Sequence, residues 1–224
     1  MSTISTRPTV HIGQVVRNAV VFNFKNWQGT SLNTDSLLQT VSRLFSLLHE
    51  RQVEYVLVGG VALLQYVEGR NTEDIDLIVA APSLGQLPEI QIDSQDANFA
   101  RGKFDDLHID FLLTRNPLFE KVRKQHATTQ HFAERDIPCA TVEGLLLLKL
   151  YALPSLYRQG NFARVGIFEK DIATLLHAYR PQVESLVQEL SNYLSGTELA
   201  EVREILAEIE ARIQRFGRSL DESS

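Results

Sequence analysis

Several things are scarce in this sequence, and each scarcity excludes a class of protein. Cysteine occurs once, as Cys139. A single thiol rules out an internal disulfide framework, fits a reducing cytoplasm, and lacks any local nucleophile signature, so a buried structural thiol is expected. No apolar run reaches the ~18 residues that a membrane-spanning helix needs. The opening "MSTISTRPTVHIG" lacks the charged-then-apolar layout of a secretory leader. A cytoplasmic location is the expectation. Positive charge is also short: 22 Lys and Arg stand against 28 Asp and Glu, a net charge of -6. No global basic field draws nucleic acid to such a chain, so any contact would need a local patch. There is no fixed-period repeat or low-complexity tract. The six histidines show no metal-ligand spacing. No lysine follows the glycines at 59 and 60 as a P-loop requires, which argues against a Walker-type NTPase.

What is present suffices for a sizeable core, because 224 residues at 44% hydrophobic can form one large domain or two small ones. Residues 1 to 33 form an N-terminal arm without a firm assignment, in which "VVRNAVVFNF" reads as a strand. The first firm element is a helix in "DSLLQTVSRLFSLLHERQ", with Leu37, Leu38, Val41, Leu44, Phe45, Leu47 and Leu48 at helical spacing and Asn33 or Asp35 as N-cap. "YVLVGG" reads as a buried strand ended by glycines, "VALLQYVEG" as a short helix closed by Gly69, and "DIDLIVA" as a second strand stopped by Pro82. Residues 82 to 106 resist assignment, although "EIQI" alternates. "LHIDFLL" at 107 to 113 is a third strand, ended by Asn116-Pro117. Beyond it the character turns helical in "LFEKVRKQ", "VEGLLLLKLYALPSLY", "GIFEKDIATLLHAY", "VESLVQELSNYL" and "ELAEVREILAEIEARIQRFG". The expected architecture is α+β: a small mixed sheet with helices over 34–118, then a helical region over 119–224 packing on that core.

Within this pattern, residues 58 to 79, "VGGVALLQYVEGRNTEDIDLIV", carry the chemistry. Asp74 and Asp76, two apart in a strand, share one face, with Ile75 and Leu77 on the other. Two adjacent carboxylates repel, and each is costly to desolvate without a partner. A divalent cation removes both difficulties, and Asp110 in "HID" offers a third carboxylate from another strand. The competing reading is a solvated strand edge, which an acidic chain produces easily. Gly59 and Gly60 either let a phosphate approach the backbone N–H groups of the following helix or simply make a tight turn. Taken together, a glycine turn, a short helix and an acidic strand make a coherent triphosphate-plus-metal site.

These residues resemble the nucleotidyltransferase superfamily that includes DNA polymerase β and the antibiotic nucleotidyltransferases. Its signature is a hydrophobic residue, Gly and Gly or Ser, then Asp-x-Asp or Asp-x-Glu in a strand, and a third Asp in a later strand. "LVGG", the segment 61 to 73, "DID" and "HIDFLL" fill those places. The form "GRNTEDID", with Arg70 and Thr72, is similar to minimal bacterial nucleotidyltransferases, including the abortive-infection (AbiE-type) toxins of toxin–antitoxin systems. That group also shows a lysine in an apolar helix and a later Lys-Asp pair, matched by Lys149 in "LLLLKLYAL" and by Lys170-Asp171. The resemblance covers about residues 53 to 179. One departure is Gly60, where many members carry Ser.

The resemblance implies an enzyme that moves a nucleoside monophosphate from an NTP to an acceptor with Mg²⁺ or Mn²⁺. Asp74, Asp76 and Asp110 would be the catalytic and metal-binding carboxylates. Gly59, Gly60, Arg70, Thr72 and Lys149 would contact the nucleotide, and Lys149 and Asp171 would complete its pocket. A snorkelling surface lysine, a first-turn helix acid at Asp171, and an Arg70 paired with Glu73 or Asp74 are the structural alternatives. The implied acceptor is RNA, particularly a tRNA 3′ end, or a protein side chain, and an antitoxin is a possible partner. Lys121, Arg123 and Lys124, with Arg115 and Arg135, offer a local basic patch or an ordinary solvated helix face. The alternatives are an antibiotic or other small-molecule nucleotidyltransferase, and a non-catalytic module that binds a nucleotide or a partner.

Overall fold

The computed structural model describes residues 9–22, 34–68 and 72–221. The chain divides into two units, Met1–Ala140 and Thr141–Ser224.

The first unit is built on a seven-stranded mixed sheet of order β3-β4-β5-β2-β1-β7-β6. Its strands are β1 (Tyr55–Val58), β2 (Ile75–Val79), β3 (Gln91–Gln95), β4 (Phe99–Phe104), β5 (Leu107–Leu113), β6 (Ala127–His131) and β7 (Asp136–Ala140). β2 runs antiparallel to β1 and parallel to β5, and β1 runs parallel to β7. The centre is where the apolar runs lie, because a strand covered on both faces must be apolar on both. Leu57, Ile75, Leu77, Ile78, Val79, Ile109, Phe111 and Leu113 are all fully buried. The three strands expected at "YVLV", "DIDLIVA" and "LHIDFLL" therefore form the middle of the sheet.

Helices flank this sheet: α1 (Ile12–Phe22), α2 (Thr34–Glu50), the short α3 (Gly59–Leu63), α4 (Ala81–Leu84) and α5 (Pro117–Gln125). Residues 12–22 are helical, which corrects the strand expected for "VVRNAVVFNF". β-branched content suggested a strand, but Ile12, Val16 and Ala19 are buried at helical spacing, and α1 packs on α2. The Glu134 carboxylate accepts hydrogen bonds from the backbone N–H groups of Ile12 and Gly13 at 3.1 and 2.9 Å, which caps the start of α1. The expected cap Asn33 and the closing Gly69 lie outside the described residues. Asn116 caps α5 by accepting from Leu118 N–H at 3.0 Å, and Pro117 opens that helix.

Sequence reasoning placed the shift to helix too early. β6 and β7 form an antiparallel pair within 127–140 and belong to the first unit, so the expected division at 118 falls after Ala140. "ATTQH" lacks the apolar alternation that announces a half-buried strand, and in "DIPCA" the alternation of Ile137 and Cys139 is short and broken by Pro138.

The second unit is helical: α6 (Val142–Arg158), α7 (Phe162–Tyr179), α8 (Val183–Leu190) and α9 (Gly196–Asp221). Its core includes Leu146, Leu150, Leu153, Ile172, Leu175, Val202, Leu206 and Ile209. Thr141 and Asn161 cap α6 and α7 through their side chains. Ser195 and Glu198 form a capping box before α9, the Glu198 carboxylate accepting from Ser195 N–H at 3.0 Å and the Ser195 hydroxyl from Glu198 N–H at 3.3 Å.

Candidate active site

Register brings the carboxylates together. Asp76 on β2 lies directly beside Asp110 on β5 in the parallel ladder, and opposite Val58 at the end of β1. Asp74 lies in the bend one residue before β2 rather than inside the strand. Ile75 and Leu77 face the core with no exposure, while Asp74 and Asp76 are only partly covered. The alternation reasoned from the sequence therefore holds, and the acids stand on the face away from Ile75 and Leu77.

The turn after β1 packs against these acids. Gly59 has φ +66°, and a β-carbon there would fall 1.9 Å from Asp76 Oδ2. Only glycine both adopts that backbone and leaves the space that the carboxylate fills. The next residue is confined in the same way. A β-carbon on Gly60 would lie 2.7 Å from Thr72 Cβ and 2.8 Å from Thr72 Oγ1. Thr72 thus stands where a serine side chain at 60 would have to go, and its hydroxyl is held toward the carbonyl of Asp74 at 3.4 Å. α3 begins at Gly59 without a side-chain cap. Arg70 lies outside the described residues.

Electrostatics confirm that the acids share one neighbourhood. Burial first, and then the like charge of Asp110, push the Asp74 carboxyl above the usual carboxylate range; His108 and Arg101 act the other way. Arg101 was not singled out by sequence reasoning. It sits on β4 opposite Asp110 and grips both oxygens, Nε to Oδ1 at 2.7 Å and Nη2 to Oδ2 at 3.1 Å. The Arg101 guanidinium is held above its ordinary pKa, chiefly by its hydrogen bond to Asp110 and then by that carboxylate's charge, with Asp74 and Asp76 adding to the effect. A signal for it exists in the sequence. β4 and β5 form a hairpin closed by Asp105 and Asp106, with Phe104 paired to Leu107, and counting outward from that turn pairs 101 with 110. Asp105 adopts φ +52° and is anchored by Arg43 Nη1 at 2.8 Å.

Clustered carboxylates, of which Asp74 is pushed up by burial and then by the charge of Asp110, are a donor set suited to a hard divalent cation, which prefers oxygen ligands. Asp74, Asp76 and Asp110 fit that group chemically. Among the described residues, no three acid, histidine or cysteine side chains already stand in a metal-holding arrangement. Asp110 instead directs both oxygens at Arg101.

Lys149 and Asp171 are brought to each other in the second unit. Lys149 Nζ donates to Asp171 Oδ2 at 2.8 Å and lies 4.4 Å from the centre of the Phe168 ring. Both are buried, at 5% and 4% exposure. α7 starts at Phe162, so Asp171 is well inside the helix, which removes the first-turn explanation for that acid. Lys149 is equally not a snorkelling surface lysine.

The basic residues considered for an acceptor patch are largely committed elsewhere. Arg123 pairs with Glu120 at 2.8 Å and Glu54 at 2.6 Å, and Lys124 with Glu120 at 2.7 Å. Arg135 donates to the carbonyl of Phe45. Cys139 is buried, and burial pushes its thiol up to about 12, as expected for an inert structural cysteine. Among the described residues, no helix is long and apolar enough to cross a membrane.

No protein-family model matches the chain, and no curated protein matches its sequence. Solved structures do share its fold. An antigenic nucleotidyltransferase-like protein from Paracoccidioides brasiliensis is 18% identical with a TM-score of 0.55, over 79% of this chain and 89% of that one. ANT(2")-Ia, solved in complex with adenylyl-2"-tobramycin, is 12% identical with a TM-score of 0.50, over 74% and 96% of the two chains. At such identities the likeness is one of architecture: this chain has a nucleotidyltransferase-like fold.

Proposed function

We propose that this protein transfers a nucleoside monophosphate from an NTP to an acceptor hydroxyl, with pyrophosphate leaving. The observation that carries the reading is the register of Asp76 beside Asp110, with Asp74 next to them and Gly59 packed on the Asp76 carboxylate. Asp74, Asp76 and Asp110 would hold Mg²⁺ or Mn²⁺. When bound, such a cation neutralises triphosphate charge and lowers the barrier to attack at the α-phosphate. The chain's own part is positioning: the turn at Gly59 and Gly60 admits phosphate close to the backbone, and the Thr72 hydroxyl stands beside it. Asp110 is the carboxylate assigned to orient the attacking hydroxyl and receive its proton.

The motif resemblance favours RNA, at a tRNA 3′ end, or a protein side chain as acceptor, with a toxin role and a neutralising antitoxin. A second reading is a small-molecule hydroxyl. It is favoured by the fold likeness to ANT(2")-Ia and by the ion pairs that occupy Arg123 and Lys124.

The decisive experiment incubates the protein with each α-labelled NTP and Mg²⁺, against total RNA, total protein or a panel of aminoglycosides. Labelling of one pool that disappears in Asp76→Asn supports the reading and names the acceptor. Equal labelling by wild type and by folded Asp74→Ala and Asp76→Ala variants overturns it. Magnesium–NTP binding without transfer to any pool replaces it with the non-catalytic module.

A further inference from the structure

The acidic site carries its own cation. Arg101 faces Asp110 across the antiparallel β4–β5 ladder, and its fork takes both carboxylate oxygens, at 2.7 and 3.1 Å. The two partners are unequally placed. The Asp110 side chain is 18% exposed, whereas that of Arg101 is 58% exposed. An arginine this open to solvent is rehydrated as it swings away, so leaving the carboxylate does not strand its own charge. The carboxylate it would leave behind stands beside Asp76 and is felt by Asp74, so it cannot remain comfortably without a counter-charge.

We propose that Arg101 is a displaceable counter-ion: it holds Asp110 while the site is without metal, and a divalent cation must compete with its guanidinium for that carboxylate. Arg101 is thus a positioning residue. Its two hydrogen bonds fix the Asp110 side chain only while no metal is bound, and they set a threshold cation concentration below which the third carboxylate is withheld. This rests on the nucleotidyltransferase reading, in which Asp110 belongs to the metal site.

The test is direct Mn²⁺ binding to the full-length protein, followed by electron paramagnetic resonance of the free ion and by calorimetry, without nucleotide. Arg101→Gln is expected to bind Mn²⁺ about 3- to 10-fold more tightly than wild type. Arg101→Lys keeps the charge but loses the fork, and should fall between them. In an Asp110→Asn background, Arg101→Gln should change Mn²⁺ affinity by less than twofold, because the carboxylate competed for is gone. In transfer assays, Arg101→Gln should lower the half-saturating Mg²⁺ concentration while leaving kcat at saturating Mg²⁺ within about twofold. Unchanged or weaker Mn²⁺ binding by Arg101→Gln overturns the proposal alone, provided that wild type binds Mn²⁺ and transfers nucleotide. An equal gain in the Asp110→Asn background also overturns it, since the effect would then be a general field. Failure of wild type both to bind Mn²⁺ and to transfer nucleotide overturns the parent reading, and this proposal with it.

Discussion

The α-carbon of Gly59 rests on the carboxylate of Asp76, so closely that a β-carbon at 59 would lie 1.9 Å from Oδ2. The glycine of the turn and the acid of the strand are therefore one feature. The space left by a missing side chain is filled by the charged group of its neighbour, and the positive φ keeps the backbone close. Gly59→Ala attacks both halves. Placing alanine in the left-handed region costs roughly 1–2 kcal/mol, and relief of the clash moves Asp76 out of line with Asp110. The expected outcome is a folded protein, destabilised by about 2 kcal/mol in urea titration, whose transfer rate falls by about 100-fold or more, as when a preorganised charge is displaced. Gly60→Ala should be milder, since Thr72 can turn away.

How much of this was legible in the sequence follows from which signals are local. The central strands could be read because deep burial leaves a nearly continuous apolar run, as in Ile75, Leu77, Ile78 and Val79, broken only by Asp76. The glycine-to-aspartate block could be read because close packing of Gly59 on Asp76 and of Gly60 on Thr72 constrains residue type at fixed spacing. α1 was misread because β-branched residues mimic a strand, whereas its packing partner, α2, lies outside any local window. β6 was missed because an edge strand with polar residues needs no apolar alternation, and β7 because its buried residues, Ile137, Cys139 and Ala140, span too short a stretch, interrupted by Pro138. Arg101 was missed for a different reason. Its meaning comes from register with Asp110 across a hairpin, and its flanking residues "FARGKF" say nothing of that until the turn at Asp105-Asp106 is recognised.

Asp74 is electrostatically unfavourable in the metal-free fold. Its folded-state pKa lies above the ordinary value, through burial and the charge of Asp110, so the ionised form that pH 7 enforces is disfavoured in the native state. Asp74→Asn removes that penalty. In metal-free buffer at pH 7 its Tm should exceed that of wild type by about 1–3 °C, while nucleotidyl transfer drops at least about 100-fold. Millimolar Mg²⁺ should raise the wild-type Tm and leave that of the variant nearly unmoved. Differential scanning calorimetry with and without Mg²⁺ reads the thermal differences and a transfer assay the activity, and a variant less stable than wild type in metal-free buffer contradicts the argument.

Glu120 on α5 supplies a pH dependence of the opposite sign. Its hydrogen bond from Arg123 is the main cause that holds its carboxyl down, from 4.5 to about 2, with Lys124 helping from the next turn. A depressed carboxyl stabilises the fold fully above the unfolded value and loses that contribution as pH falls through the folded one. The contribution of Glu120 should therefore be complete at neutral pH and fade between about 4.5 and 2. Because the pair is partly exposed, Glu120→Gln should cost only on the order of 1 kcal/mol at pH 7. Urea titrations at pH 7, 4 and 3 should show the gap between wild type and variant narrowing steadily. A gap that widens on acidification would refute the assignment.

The buried pair of Lys149 and Asp171 separates a folding role from a chemical one. Both charges are almost wholly removed from water and satisfy each other at 2.8 Å, with Phe168 against the ammonium. Removing either partner leaves an uncompensated charge in the core of the helical unit, which costs about 3–5 kcal/mol. Lys149→Met and Asp171→Leu should each lower stability by that amount. The double variant should recover most of it, because apolar side chains of similar size often replace a buried ion pair without loss. Transfer activity then decides the role. If the pair only secures the helices, the double variant transfers nucleotide at the wild-type rate. If Lys149 also meets the substrate, the recovered fold remains defective, with a raised KM for NTP that stability cannot explain. Urea denaturation alongside steady-state kinetics on all three variants gives the answer.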